Sequence, residues 1–184
     1  MTTFETDPAD PAAGPPAGAV PRTRTHHWHA GPPISEFPHL TGEEILRGII
    51  AGRIQQPPIG STLGFLLVEA GPGTAVFEGV LGDHLFNPMN TVHGGYLATL
   101  LDSALGCAVM SRLPAGVGYT TTQLNVHMVR PLFAESGHVR CEGVALQVGR
   151  TMATAEARIT GCEDGRLFAH ATTTCAVLAP RRAA

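Results

Sequence analysis

Residues 87–110, NPMNTVHGGYLATLLDSALGCAVM, decide the fold that this sequence predicts. In the second half of the stretch apolar residues recur at spacings of three and four, which predicts one continuous helix. Asp102 is the one carboxylate in the stretch, and small residues lie four positions away on either side of it. Gly94 and Gly95 stand at the start of the helix, where backbone N–H groups and the helix dipole favour an anion. An acid on the helix and an anion site at its start indicate chemistry on a carbonyl group.

The composition is that of one globular domain. The chain has 184 residues, 43% of them hydrophobic, which suffices for a single core. Its net charge of −3 gives no reason to expect nucleic acid as a partner. No apolar run approaches the ~18–20 residues of a membrane span, and the N-terminus lacks a signal-peptide pattern. Cysteines without C-x-x-C spacing indicate buried, reduced thiols and a cytoplasmic protein: Cys107, Cys141, Cys162 and Cys175.

Residues 1–33 differ in composition from the rest of the chain. They are rich in Pro, Ala, Gly and Thr and offer few large apolar side chains to bury. We therefore predict a disordered N-terminal tail over residues 1–33 and a folded domain over residues 34–184. The tail holds His26, His27 and His29, but a flexible segment without spaced partner ligands rarely forms a coordination shell, so we predict no metal site.

The sequence of the folded part predicts a second helix and six strands. Thr41 and Glu44 have the spacing of a capping box, which begins a short helix that ends near Arg53. Alternating and β-branched segments predict strands over residues 63–70, 74–81, 119–129, 139–148, 152–160 and 167–178. Gly149-Arg150 is predicted as a two-residue hairpin connection. One long helix followed by a meander of strands predicts an α+β fold, with an antiparallel sheet packed on the helix.

The motif His93-Gly94-Gly95, followed by an acid nine positions after the histidine, resembles the hotdog-fold acyl-CoA thioesterases of the phenylacetic-acid-degradation (PaaI-like) type. The order of helix and strands resembles that family from about residue 40 to residue 178. The resemblance implies a hotdog fold in a homodimer or homotetramer. It also implies hydrolysis of an acyl-CoA thioester to a free acid and coenzyme A, with no cofactor apart from the coenzyme A of the substrate.

The resemblance assigns roles to residues near the start of the long helix. Asp102 matches the catalytic acid of the family, either as nucleophile or as general base. Gly94 matches the residue whose backbone N–H polarises the thioester carbonyl, and Gly95 beside it is expected to contact substrate. Asn87 matches a polar side chain that holds the thioester or a water. His93 is expected to support these groups or to donate to the leaving thiolate.

Three further assignments depend on residues outside this helix. Thr121 matches a Ser or Thr that orients the water, although Thr122 is one register slip away. Arg130 and Arg150 have the chemistry to hold the phosphates of coenzyme A, because guanidinium binds phosphate in a bidentate manner. Each residue also has a structural interpretation. Threonines are common in strands, and arginines are common at strand ends.

Helix geometry predicts that the active site is shared between two subunits. Gly94 and Asp102 are eight residues apart, which separates them by ~12 Å along one helix. Both groups must approach one thioester to within about 3–3.5 Å. Two antiparallel helices crossing near Ala98 would place Gly94 of one subunit opposite Asp102 of the other. The acyl group stays open, because spacing alone does not show which apolar residues line its pocket: Leu63, Phe65, Phe86, Met89 or Met110.

Two other functions fit parts of the same pattern. A hotdog enoyl-CoA hydratase or dehydratase pairs a histidine before the helix with an acid on it, and His84 is a candidate for that histidine. A non-catalytic acyl-CoA-binding hotdog protein is expected to lack the acid, and Asp102 is present. The thioesterase interpretation accounts for the His-Gly-Gly motif and the acid together, so we prefer it.

Overall fold

The computed structural model describes residues 18–29, 31 and 33–178, which form one antiparallel sheet around a long helix. A 3₁₀ turn at Ile34–Glu36 precedes three helices: α1 (Gly42–Ile50), α2 (Pro58–Leu63) and α3 (Gly94–Met110). The strands are β1 (Phe65–Gly71), β2 (Thr74–Val80), β3 (Gly118–Met128), β4 (His138–Val148), β5 (Met152–Gly161) and β6 (Leu167–Leu178). Their order in the sheet is β1-β2-β4-β5-β6-β3. The predicted α+β architecture is therefore confirmed, with β1 and β3 at the two edges.

Helix α3 is the centre of the core because its apolar residues face the sheet. Leu100, Leu101 and Leu105 are completely buried against the strands. At Gly143 on β4 the sheet and the helix backbone approach closely, and a Cβ there would overlap the carbonyl of Ala104. The face of α3 that stays partly accessible carries small and polar residues: Gly95, Ala98, Thr99, Asp102, Ser103 and Cys107. The predicted acid thus lies on the side of the helix that its own sheet leaves uncovered.

Helix α1 begins with the predicted capping box. The Glu44 N–H donates to Thr41 Oγ1 at 3.3 Å, and the Thr41 N–H donates to Glu44 Oε2 at 2.8 Å. The bonds that Thr41 donates favour the charged carboxylate, so they lower the pKa of Glu44. Helix α1 ends at Ile50, three residues before Arg53, and packs against β1. The predicted helix is therefore confirmed, although it ends three residues earlier than expected.

Three local features differ from the prediction. Pro57 and Pro58 follow the end of α1 and begin a further helix, α2, that the sequence did not predict. Pro58 occupies its first helical position, where the fixed φ of proline suits a helix. Gly64, with φ +78°, ends α2, so β1 begins at Phe65 instead of residue 63. The connection between β4 and β5 contains three residues, 149–151, and not two.

The part of the N-terminal segment that is described, residues 18–29, contains no helix or strand. Its side chains are exposed, and Arg22 Nε lies 3.6 Å from Asp83 Oδ2. Residues 1–17 lie outside the described residues, so the disordered tail stays a prediction. Across residues 18–29, 31 and 33–178, no helix is long and apolar enough to cross a membrane. Within the same ranges, no group of three His, Cys, Asp or Glu side chains could hold a metal ion.

Candidate active site

Asp102 lies in the middle of α3 and lines a cavity of about 220 Å³. The other walls of this cavity come from α1, α2 and strands β1, β2 and β3. The Thr121 hydroxyl on β3 donates to Asp102 Oδ1 at 2.9 Å. Within the described part of the chain, Asp102 Oδ2 receives no protein hydrogen bond. One carboxylate oxygen is therefore oriented by the sheet, and the other is available to a substrate or a water.

A β-bulge decides which threonine meets the carboxylate. Thr121 pairs with Cys175 and Gln123 pairs with Thr174, so Thr122 is the extra residue in β3. The Thr122 hydroxyl donates to the Thr174 carbonyl at 2.9 Å instead of reaching Asp102. The register that the sequence left open is thus settled in favour of Thr121 as the neighbour of the acid.

The surroundings of Asp102 are poor in solvent. Burial raises the pKa of the Cys107 thiol to about 12, and the nearby Asp102 charge acts in the same direction. Burial also raises the pKa of Tyr119 well above its ordinary value. The Tyr119 phenol lies over Gly106, where a Cβ would come within 2.5 Å of the phenol oxygen. Electrostatic interactions with Asp102 are stronger in such an environment than in water.

Sequence reasoning missed Tyr119 and Cys107 as neighbours of the acid. Tyr119 shares the inward side of β3 with Thr121, so the alternation of the strand contained a signal for it. Cys107 lies five positions after Asp102, a spacing that is not a standard helical neighbour. Cys107 lines the cavity only because several elements pack around it, and no local pattern in the sequence shows that packing.

The start of α3 is organised by His93. This residue is the N-cap, and its Nδ1 accepts from the Gly95 N–H at 2.8 Å. The Gly95 N–H therefore already has an acceptor and is not free for the substrate contact that the resemblance implies. Among the described residues the Gly94 N–H donates to no backbone or side-chain acceptor. Gly94 is the N–H at this helix start that remains available to an oxyanion.

Asn87 holds the loop that leads into α3. Its Oδ1 accepts from the backbone N–H groups of Met89 at 2.9 Å and Thr91 at 3.2 Å. Its Nδ2 donates to Thr91 Oγ1 at 2.8 Å. The side chain is thus used mainly to shape the loop, with one amide hydrogen left for a further acceptor.

Arg130 and Arg150 do not come together in one chain. Arg130 follows the end of β3, and its guanidinium donates to the Leu167 carbonyl at 2.7 Å. Arg150 lies in the β4–β5 connection, beside the paired residues Met152 and Ala176 at the opposite end of the sheet. The two ends of β3 are ~30 Å apart at 3.3 Å per residue. A joint grip on one phosphate therefore requires two subunits.

His84 is not a neighbour of Asp102 within the chain. It lines a different cavity, together with Arg24 and Gly64. Burial and the Arg24 charge lower the pKa of His84, which favours its neutral form. The histidine–acid pair of a hydratase is consequently not assembled by a single chain.

Comparison with known proteins agrees with this fold. Residues 89–169 match the family described as the thioesterase superfamily. The matched segment runs from the loop before α3 into β6 and includes Gly94 and Asp102. The chain is similar to the thioesterase superfamily over this segment, and its fold is the hotdog fold.

Individual solved structures that resemble this chain are phenylacetic acid degradation proteins. The chain is 28% identical to a phenylacetic acid degradation-related protein of Ralstonia eutropha, a proposed thioesterase, covering 72% of this chain and 98% of that one with a TM-score of 0.65. It is 29% identical to a point mutant of the phenylacetic acid degradation protein PaaI from Thermus thermophilus, covering 65% and 98% with a TM-score of 0.59. The predicted likeness to PaaI-like proteins is confirmed.

A curated relative matches over a shorter length. A proposed esterase of Halobacterium salinarum is 40% identical over 75 residues, which are 40% of this chain and 48% of that protein. The chain thus spans about half the length of the curated relative that it matches. The comparisons thus establish the hotdog fold and a match to the thioesterase superfamily over residues 89–169.

Proposed function

We propose that this protein hydrolyses acyl-CoA thioesters, with Asp102 as the group that acts on the thioester carbon. The observation that carries the proposal is the Asp102 carboxylate on α3, oriented by Thr121 and facing an apolar cavity. The membership of residues 89–169 in the thioesterase superfamily supports hydrolysis in general. The apolar cavity beside the carboxylate supports a hydrocarbon acyl group.

The reaction has two routes that use the same residues. Asp102 either attacks the thioester carbon, forming a mixed anhydride that water then hydrolyses, or removes a proton from a water that attacks. In both routes the carbonyl electrons move onto its oxygen, and an N–H donor stabilises that charge. The C–S bond then breaks, the thiolate takes up a proton, and one water is consumed per acid and thiol released. These steps need only the side chains, the backbone and water.

We propose further that the donor is the Gly94 N–H of a second copy of the chain. The ~12 Å between Gly94 and Asp102 along one helix prevents both from reaching one carbonyl. The partly accessible face of α3 carries Ala98 midway between them and is lined by small residues that permit close crossing. A two-fold axis near Ala98 would create two identical sites per homodimer, and a dimer of dimers would keep them.

The proposal is tested by hydrolysis of a panel of acyl-CoAs. The purified protein should release coenzyme A, and Asp102→Asn should lower kcat by about 10²–10⁴-fold, the typical contribution of an essential acid or base. Asp164→Asn is the matched control, because it makes the same substitution in the β5–β6 turn, outside this cavity. The Asp164 carboxylate accepts from the Arg166 N–H, so little change in kcat is expected.

The same assay separates the rival functions. Hydration of crotonyl-CoA without coenzyme A release would identify a hydratase. Binding of acyl-CoA with neither reaction would identify a non-catalytic acyl-CoA-binding protein. Retention of near-normal kcat by Asp102→Asn, with the melting temperature unchanged, would show that Asp102 is not the reacting group.

A further inference from the structure

Two apolar cavities lie side by side beneath the N-terminal part of the domain. The first, of about 220 Å³, contains Asp102. The second, of about 480 Å³, lies under the 3₁₀ turn and is lined mainly by apolar residues and glycines, among them Phe37, Leu40, Ile45, Val117 and Leu178. Three residues line both cavities: Ile34, Met110 and Tyr119. They form the partition between the two spaces.

The first cavity is suited to an unsubstituted hydrocarbon. Apart from Asp102, Thr121 and Cys107, its polar side chains are Gln56, Ser103 and the Tyr119 phenol. The Ser103 hydroxyl donates to the Thr99 carbonyl at 2.8 Å, and Gln56 Oε1 accepts from the Leu67 N–H at 3.4 Å. The Ser103 hydroxyl and Gln56 Oε1 are therefore already paired and offer little to a polar substituent, whereas an apolar chain loses no hydrogen bond on entering the cavity.

The size of the first cavity limits the chain that fits. A cavity of about 150 Å³ holds benzene, which scales to about nine non-hydrogen atoms for the volume observed here. The distance from Asp102 to Met110 gives the same answer. Eight residues of helix span ~12 Å. An extended saturated chain advances about 1.25 Å per carbon for 1.5 Å bonds and ~111° angles, so nine or ten carbons reach the partition.

We infer that Ile34, Met110 and Tyr119 form the end wall of the acyl pocket and set an upper limit of about nine or ten carbons. This inference rests on the proposed function, because it takes the acyl group to extend from Asp102 into the first cavity. Ile34 is 45% exposed and comes from a single 3₁₀ turn, so the outer part of the wall is one side chain thick. Removing a wall side chain would join the first cavity to the second.

The chain offers a matched pair of isoleucines for the test. Ile34 lines both cavities and is 45% exposed, whereas Ile59 lines the first cavity alone and is 46% exposed. The experiment compares Ile34→Ala, Ile59→Ala and Met110→Ala with the unmodified protein. The substrates are saturated acyl-CoAs from butanoyl to hexadecanoyl, below their micelle-forming concentrations. The measurements are kcat/KM for hydrolysis and, in the Asp102→Asn background, Kd by calorimetry.

The unmodified protein should prefer octanoyl and decanoyl groups and lose at least ~10-fold in kcat/KM at tetradecanoyl, the effect of ~1.4 kcal/mol of unfavourable fit. Ile34→Ala and Met110→Ala should raise the ratio of kcat/KM for tetradecanoyl-CoA to kcat/KM for octanoyl-CoA about tenfold. Ile59→Ala should change this ratio less than about threefold. If the buried Met110→Ala variant fails to fold, Ile34→Ala alone decides.

The outcomes separate the wall from the reaction. Hydrolysis without a chain-length limit would contradict the proposed wall and leave the thioesterase proposal unaffected. The same follows if Ile59→Ala changes the tetradecanoyl-to-octanoyl ratio of kcat/KM as much as Ile34→Ala does. If no acyl-CoA is hydrolysed, but long chains bind weakly and Ile34→Ala strengthens their binding, the thioesterase proposal is wrong and the proposed wall is supported. If no acyl-CoA of any chain length binds or reacts, both the thioesterase proposal and the proposed wall are wrong.

Discussion

The start of α3 and its middle each provide one group of the proposed site, but the two places are held by contacts of different range. At the start, His93 binds the N–H of a residue two positions away, and Asn87 binds groups two and four positions away. In the middle, Asp102 is held by Thr121, which lies 19 positions later on another element. Short-range contacts follow from a local motif, whereas the long-range contact exists only once β3 occupies the sheet edge. The first half-site is a loop that caps a helix, and the second is a partly buried carboxylate beside a cavity.

The strongest test of the helix start removes one N–H. Gly94→Pro deletes the free donor at the first helical position, where proline is well tolerated, and His93 already has the extended conformation (φ −63°, ψ 136°) that precedes proline. We expect kcat to fall about 10²–10³-fold, as for loss of an oxyanion donor.

Gly94→Ala is the matched control for that variant. Both substitutions add a Cβ about 2.7 Å from the end of the Met128 side chain, which is 51% exposed and free to move, but alanine keeps the N–H. Equal activity of the two variants in steady-state assays would show that the Gly94 N–H does not stabilise the oxyanion.

The long-range contact in the middle of α3 is tested by removing a hydroxyl. Thr121→Val deletes the donor to Asp102 and should lower kcat about tenfold, given ~1.5 kcal/mol for a hydrogen bond to a charged group. Thr122→Val deletes a hydroxyl one position away that donates to a strand carbonyl, so its kcat should change little. An effect of Thr122→Val as large as that of Thr121→Val would mean that the bulge places the other threonine at the site.

Mixing two inactive variants tests whether the half-sites belong to different subunits. Gly94→Pro and Asp102→Asn, refolded together in equal amounts, should form half of the dimers as mixed pairs with one intact site each. About a quarter of the unmodified activity should therefore return. No recovery, despite mixed dimers shown by mass spectrometry, would place both groups of a site in one chain.

A labelling experiment tests whether water reaches the middle of α3, without any effect on turnover being expected. With the pKa of Cys107 raised to about 12, its thiolate fraction at pH 8 is ~10⁻⁴, against roughly a quarter for an ordinary cysteine of pKa about 8.5. Alkylation of Cys107 by iodoacetamide, followed by peptide mass spectrometry, should be ~10³-fold slower in the folded protein than in urea. Because the folded-state pKa is the higher one, reactivity should increase as the pH rises towards 12. Rapid labelling at pH 8 would show that water enters the cavity freely.

The sequence by itself determined the parts of this protein that depend on neighbours within one helical turn or one strand. The apolar spacing in residues 96–110 predicts α3, and the capping box at Thr41 predicts α1, because both patterns act through local backbone geometry. Five of the six strands begin within one residue of their predicted positions because side-chain alternation and turn residues are also local. The same local information placed Asp102 on α3 and the His93-Gly94-Gly95 motif at its start.

Only the tertiary structure decided which distant groups meet. The bulge at Thr122 chose Thr121 as the partner of Asp102, and α2 grew from a proline pair that local patterns assign to a helix stop. The sheet also separated Arg130 from Arg150 and placed His84 in another cavity. These outcomes depend on strand register and on walls contributed by several elements. A one-residue change in register reverses the side on which a side chain lies, and no local pattern specifies the space that is left between packed elements.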